Sequence, residues 1–344
     1  YNPQNSASVK LTGWSDGTRY ELIDLDDGTT VVSGTLDRYQ TRNIPMSGVR
    51  NFKLAASTPL HATLGYDCCN FGGSLYYPTL DGRTLVGREF ILRIPVLTGS
   101  NIFAIFAFEE ATVTVRDSAG NVVLTREMTA GSRYATSGSP LARNVVYHVT
   151  ATGDIALQSS SRNAHSAVPA RNGTDVGSEF MFHAFAWSQT GMAVFAYEDA
   201  DFQLTRIDDG AAIASGSLVA GDWTYLAIPT QYYRLTSSGR VGLWAGSTEG
   251  GSGISWLGDD LTQNTGDGGR ELLIHSQTQG ARIFALLDGT QVTIDGETTT
   301  LNADESLALG GNRFYRIVAN KPVVVQTIGG NGLNDWETEL KLVP

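Results

Sequence analysis

Charged side chains are scarce in this chain: Asp, Glu, Lys and Arg supply 17% of its 344 residues, below the usual quarter. The charge present sums to −11 with no lysine or arginine cluster, which excludes nucleic acid and anionic membrane surfaces as electrostatic partners. No apolar run reaches the roughly 18 to 20 residues needed to span a bilayer as a helix, so membrane insertion is not expected. Helical periodicity with caps is missing as well, and so are a G-x-S-x-G turn, a P-loop and any Ser/His/Asp order. The five histidines, His61, His148, His165, His183 and His275, show no metal-ligand spacing. Cysteine is confined to the adjacent pair Cys68 and Cys69. Such a pair forms a vicinal disulfide at a loop tip, stays as two thiols, or bridges to another chain. A zinc site on these two alone is excluded, because zinc wants four ligands.

What is present is apolar residue at 41%, 39 glycines, and alternation of apolar and polar positions over most of the length. That pattern predicts strands, at the short spacing of sandwiches, barrels and propellers. Examples are Ser8 to Trp14, Tyr20 to Leu25 and Thr30 to Leu36, separated by SDGT and DLDDGT turns with the Asp-Gly signal of hairpins.

The alternation is organised into four repeats of about 90 residues. An acid at a turn follows each FA-type strand: Asp16, Glu110, Asp199 and Asp288. An aromatic opens FKLAAS, YHVTAT, YRLTSS and YRIVAN, namely Phe52, Tyr147, Tyr233 and Tyr315. The strands PLHATL, DIALQS, RVGLWA and PVVVQT come next. The last landmark is a strand carrying Glu89, Glu179, Glu271 or Glu339, in REFILR, SEFMFH, RELLIH and TELKLV. The repeats run 8–87, 88–176, 177–269 and 270–344, each with about six strands, long for a four-stranded blade of about 40 to 45 residues.

The first repeat lacks a preceding glutamate strand, and the chain stops on one with no partner after it. Pairing of last with first would close a ring and leave no edge exposed. The expected fold is therefore all-β, a four-repeat β-propeller-like closed toroid; the alternative is a row of tandem β-sandwich modules with swapped strands.

The segments GSEFMFHAF, VTVRDSAG, MTAGSRY, LVAGDWTY, YHVTATGDIALQ and YRIVANKPVVVQ resemble domains related to the N-terminal region of the IgG Fc-binding protein. The resemblance covers nearly the whole chain and rests on turn and strand signals. It implies a secreted or cell-surface β-repeat domain engaged in binding or adhesion. It brings no catalytic residue and does not transfer immunoglobulin binding. The chain opens on Tyr1 without methionine, basic n-region or apolar h-region, which reads as a mature form or an excised segment of an extracellular protein.

Candidate chemistry falls into two groups. The eight repeated acids hold turns and strand edges, bind a cation in the ring, or supply a carboxylate pair for glycoside cleavage as in a propeller-type carbohydrate-active enzyme. Recurrence in every repeat favours the first role, since an active site normally breaks symmetry. His148, matched by Lys53 and Arg234, is expected to face solvent. The second group is the loops that differ between repeats: Tyr66 to Tyr77, His165 to Arg171, Trp244 to Asp267 and Asn331 to Trp336.

Function on a repeat scaffold sits in such loops. Their aromatics Tyr66, Phe71, Tyr76, Tyr77, Trp244, Trp256 and Trp336 suit stacking on a carbohydrate or a protein hot spot. The competing reading makes Trp256 and Trp336 buried plugs. GDDLTQNTGDGG offers Asp259, Asp260 and Asp267 as oxygen ligands for calcium, without the EF-hand spacing, and no other cofactor is implied. Asn172-Gly173-Thr174 fits the glycosylation pattern. The expected partner is a glycan or protein, with self-assembly of the chain as a further expectation.

Overall fold

The computed structural model describes residues 7–46, 52–58, 60–66, 75–76, 86–94, 102–137, 141–142, 145–161, 164–168, 176–184, 191–229, 231–246, 254–257, 270–276, 280–311, 313–328 and 336–338. These residues form strands and turns with no helix. Unit one contains β1 (Ala7–Gly13), β2 (Thr18–Asp24), β3 (Thr30–Leu36), β4 (Thr41–Pro45), β5 (Phe52–Ala56), β6 (Leu60–Tyr66) and β7 (Leu75–Tyr76). Unit two contains β8 (Val86–Arg93), β9 (Ile102–Ala107), β10 (Ala111–Asp117), β11 (Val122–Met128), β12 (Arg133–Ser137), β13 (Val146–Ser161) and β14 (Ala164–Val168). Unit three follows with β15 (Val176–Ala184), β16 (Gly191–Ala196), β17 (Ala200–Arg206), β18 (Ala212–Leu218), β19 (Trp223–Ala227), β20 (Gln231–Gly246) and β21 (Ile254–Leu257). Unit four has β22 (Arg270–Ser276), β23 (Gly280–Ala285), β24 (Thr290–Ile294), β25 (Glu297–Leu301), β26 (Ser306–Leu309), β27 (Arg313–Ala319), β28 (Val323–Ile328) and β29 (Trp336–Thr338).

Each unit repeats one antiparallel plan. In unit three the order is β18-β17-β20-β16-β19, with β15 and β21 also paired to β20, and unit two is built identically around β13. The first half of β20 pairs with β17 and β15, and the second half with β16 and β21. Two sheets thus share one long strand and fold over a common core. In units one and four the long strand is divided, into β5 and β6 and into β27 and β28, and two separate sheets result. The sequence explains the division: Pro59 and Pro322 stand at the break, and proline cannot donate to a ladder.

Units two and three instead carry Gly153 and Gly239 at the bend. A Cβ on either would overlap a main-chain carbonyl oxygen, that of Glu110 or Asp199. Gly239→Ala is therefore expected to destabilise the protein by about 1–3 kcal/mol, the usual cost of overpacking. Urea unfolding checks this, and an unchanged midpoint would refute the close approach.

The sheets alternate as the sequence predicts. β10 and β17 bury every second residue. The outer strand β11 is largely exposed, and β18 mixes exposed and half-buried residues. β16, Gly191–Ala196, breaks the alternation, because all six residues are buried. Its Met192 and Val194 pack in the core of unit three, whereas Ala193 and Phe195 pack in that of unit two. The strand lies at the junction between units and is apolar on both faces for that reason.

Four such junctions join the units into a four-bladed, propeller-like ring. Between units one and two, Arg133 forms an ion pair with Asp26. Between two and three, the Tyr197 hydroxyl accepts a buried hydrogen bond of 2.9 Å from the Ile91 N–H. The Arg93 guanidinium lies 5.5 Å from the centre of the Trp223 ring and 5.9 Å from that of Tyr225; burial pushes its pKa down. Between three and four, Tyr232 meets the Phe284 ring edge-on at 5.8 Å. Between four and one, the Arg316 guanidinium covers the Tyr39 ring at 4.6 Å.

The last contact is the ring-closing one, and it has counterparts. Arg316, Arg234, His148 and Lys53 occupy one position, next to the repeated aromatic. His148 Nε2 lies 3.0 Å from the Gly221 carbonyl and Arg234 Nη1 lies 3.4 Å from Asp304 Oδ1. His148, Arg234 and Arg316 each reach the same hairpin turn of the next unit, at Gly221, Asp304 and Tyr39. The turn residue has φ of +91°, +67° and +65° at these three positions and +75° at Gly131, a conformation that favours glycine. His148 is therefore half-buried at a junction rather than facing solvent.

Candidate functional site

Of the repeated acids, Asp16, Asp199, Asp288 and Glu179 make bonds within the scaffold. Asp16, Asp199 and Asp288 each accept a main-chain N–H bond, from Arg38 at 2.9 Å, Ala220 at 2.8 Å and Ala303 at 2.9 Å. All three donors precede the positive-φ residue of the junction turn, so the acid fixes the turn that meets the neighbouring unit. The repeated glutamate stands opposite Thr150, Thr236 or Val318 on the adjacent strand. In unit three Glu179 Oε1 accepts from Arg234 Nε at 2.7 Å, across the diagonal of the ladder.

The hairpin turns are held in similar ways. Arg206 and the Ala211 N–H hold the Asp209 carboxyl down to about 2, and the Asn121 side chain lowers the pKa of Asp117. Among the described residues no group of three His, Cys, Asp or Glu is arranged to hold a metal ion. No described helix is long and apolar enough to cross a membrane.

The dissimilar loops behave differently. In each unit the second half of the long strand, or the second of the two strands it is divided into, has one edge taken by the FA-type strand or its counterpart and the other by a short strand lying within the variable loop. The short strands are β7, β14, β21 and β29. Their registers place Tyr76 opposite Thr63, His165 opposite Ser160, Trp256 opposite Trp244 and Trp336 opposite Ile328. Tyr66, at the end of β6, is opposite Ala7.

These four strands also adjoin one another. β7 lies beside β14, β14 beside β21, and β21 beside β29. The backbone thus brings Tyr76, Trp256, Trp336 and their cross-strand partners into one cluster, although their loops are far apart in sequence. Sequence reasoning treated these segments as irregular loops and missed the strands. The alternation in AHSAV and the apolar pair in ISWL are the signals that could have found them. Phe71, Tyr77, Cys68, Cys69, Asp259, Asp260 and Asp267 lie outside the described residues, as do Asn172 to Thr174.

No protein-family model and no curated protein matches the chain. Several solved structures overlap it weakly, two of them as follows. One is an anti-sigma factor domain-containing protein from Clostridium clariflavum, 11% identical, with 96% of this chain and 97% of that one covered and a TM-score of 0.17. The other is the tetra-tandem repeat in the extending region of a large adhesion protein, 15% identical, covering 97% of this chain and 93% of that one with a TM-score of 0.13. Likenesses this remote carry no argument about the ligand. The functional reading rests on the chain's own geometry: a repeated scaffold of turn-capping acids, and a cluster of unlike loop strands adjoining in chain order.

Proposed function

We propose that the chain is a secreted or cell-surface, non-enzymatic interaction protein that binds a glycan or another protein through the joined loop cluster. The observation that carries this reading is the meeting of β7, β14, β21 and β29, which places the least similar parts of the four units side by side. The scaffold repeats and these strands do not, and asymmetry is what recognition of one ligand needs. The cluster is supplied with Tyr66, Tyr76, Trp244, Trp256 and Trp336, side chains that offer large stacking area at small entropic cost. Asp, Asn and Gly around them in the sequence supply adaptable hydrogen bonding. The resemblance to IgG Fc-binding-protein-related domains supports an extracellular setting.

The test is a glycan and surface-protein binding screen on the parent protein beside a Trp256→Ala, Trp336→Ala double variant. Binding by the parent is expected to fall by a factor of ten or more, about 1.4 kcal/mol or greater, in a variant that keeps its melting temperature. Release of reducing sugar from a polysaccharide, with no saturable binding, would replace this reading with a carbohydrate-active enzyme.

A further inference from the structure

The ring-bearing positions of the loop strands share one face. Tyr76 stands opposite Thr63, which stands opposite Lys10 on the next strand. His165 leads in the same way through Ser160 to Ile102, Trp256 through Trp244 to Ala193, and Trp336 through Ile328 to Gly280. Residues directly opposite one another in an antiparallel ladder lie on one face. Lys10, Ile102, Ala193 and Gly280 precede the repeated acids Asp16, Glu110, Asp199 and Asp288 by six, eight, six and eight residues. All four separations are even, so with a side-chain period of two the four positions fall on equivalent faces. The odd positions belong to each unit's own core: Val9 and Leu11, Phe103 and Ile105, Met192 and Val194, Ala281 and Ile283. Tyr76, His165, Trp256 and Trp336 thus lie on the face turned away from those cores.

The same face is poor in charge. It holds the positions of Thr63, Ser160, Gln326 and Thr338, which are hydroxyls and an amide. Within β7, β14, β21 and β29 the residues that carry or gain a charge near neutrality are Glu337 and His165. Glu337 falls on the other face, opposite Thr327 and, beyond it, the core residue Ala281. One strand further out, Lys10 is buried and Arg282 lies over the Tyr232 ring at 5.6 Å. In sequence, the four variable loops as bounded above add one cation, Arg171, against Asp67, Glu249, Asp259, Asp260, Asp267 and Asp335.

Two ligand classes are disfavoured by this composition. A uronate, sulfate or sialate would meet an excess of acid, and complementary charge is what draws such a group in. Protein hot spots combine Trp and Tyr with Arg, and no Arg stands in the four loop strands. Rings beside hydroxyls and amides match a neutral sugar, which offers C–H faces to stack and hydroxyls to hydrogen-bond. We propose that the ligand of the loop cluster is an uncharged polysaccharide, held on the face that carries Tyr76, His165, Trp256 and Trp336. This ligand class rests on the reading of the cluster as the binding site and narrows it.

Affinity electrophoresis tests it, with dextran, xyloglucan, galactomannan and hydroxyethylcellulose as uncharged probes and alginate and heparin as anionic ones. Retardation is expected with at least one uncharged probe and with neither anionic one. The dissociation constant is expected to change less than about twofold between about 50 and 500 mM NaCl, since no exposed ion pair is made. Tyr76→Ala and Trp256→Ala are each expected to weaken binding by about tenfold or more at the parent's melting temperature. Glu337→Gln, on the opposite face, is expected to leave it within about twofold. Two results would overturn the uncharged ligand yet keep the cluster as the site, provided Trp256→Ala abolishes them: salt-sensitive retardation by alginate or heparin, and saturable binding of a protein with no polysaccharide retarded. Retardation by an uncharged probe that survives both ring substitutions would overturn site and ligand together. No retardation by any probe also overturns the proposal.

Discussion

Phe195→Ala is expected to destabilise the protein by about 3–5 kcal/mol, the range for emptying a buried aromatic site. Phe195 is fully buried, packs in the core of unit two although it belongs to unit three, and stacks on Trp223 with ring centres 6.2 Å apart. A cavity there has walls from two units. Neither can collapse onto it without separating from the other, which places the cost toward the upper end of the range. The loss is also expected to be shared, so that hydrogen exchange rises in β8 and β13 as well as in β16. Chemical denaturation with exchange readout checks both parts. A loss under about 1 kcal/mol, or exchange confined to β16, would show that the junction does not couple the units.

The second large effect is at the repeated aromatic. Tyr233→Ala is expected to cost about 3–5 kcal/mol by the same cavity argument, since Tyr233 is fully buried and packs against Phe182 at 5.9 Å. Tyr233→Phe separates the hydroxyl from the ring. The hydroxyl donates to the Pro229 carbonyl at 2.9 Å, and burial raises its pKa. Pro229 is exposed, so water can replace the lost donor and the expected cost is only about 0.5–1 kcal/mol. The comparison matters because the bond recurs. The Tyr315 hydroxyl donates to the Gly310 carbonyl at 3.0 Å, and the Tyr147 hydroxyl accepts from the Ala142 N–H at 2.7 Å. Each tyrosine pins the turn just before its own strand. Phe52 has no hydroxyl to do this, one more departure of the first unit from the plan. Equal losses from the Ala and Phe variants would mean that the hydrogen bond, not the packing, dominates.

Much of the fold is legible because it is written in short-range chemistry. Alternation identifies β2, β10 and β17, and Asp-Asp-Gly after β2 and β17 and Asp-Ser-Ala-Gly after β10 mark their hairpins, since a strand's face and a turn's φ are decided within a few residues. The repeat itself is visible because equivalent turns need equivalent residues: an acid at Asp16, Asp199 and Asp288 to accept one main-chain N–H, and a tyrosine at three of four strand starts. Even the breaks at Pro59 and Pro322 can be read from a missing N–H.

Other features depend on residues distant in sequence, and local pattern cannot report those. The unbroken apolar run in β16 reads as an ordinary buried strand, and only the ring shows that its two faces serve two cores. Glu179 looks like a possible ligand until Arg234 is found across the diagonal. The loop strands β21 and β29 are short, glycine-flanked and weakly patterned, so their strand character comes from the edges they pair with. By itself the sequence determined the strands, the turns and the fourfold plan, because backbone sterics and side-chain alternation act locally. The tertiary structure alone decided which faces are shared between units and that four unlike loops meet, because those outcomes follow from closing the ring.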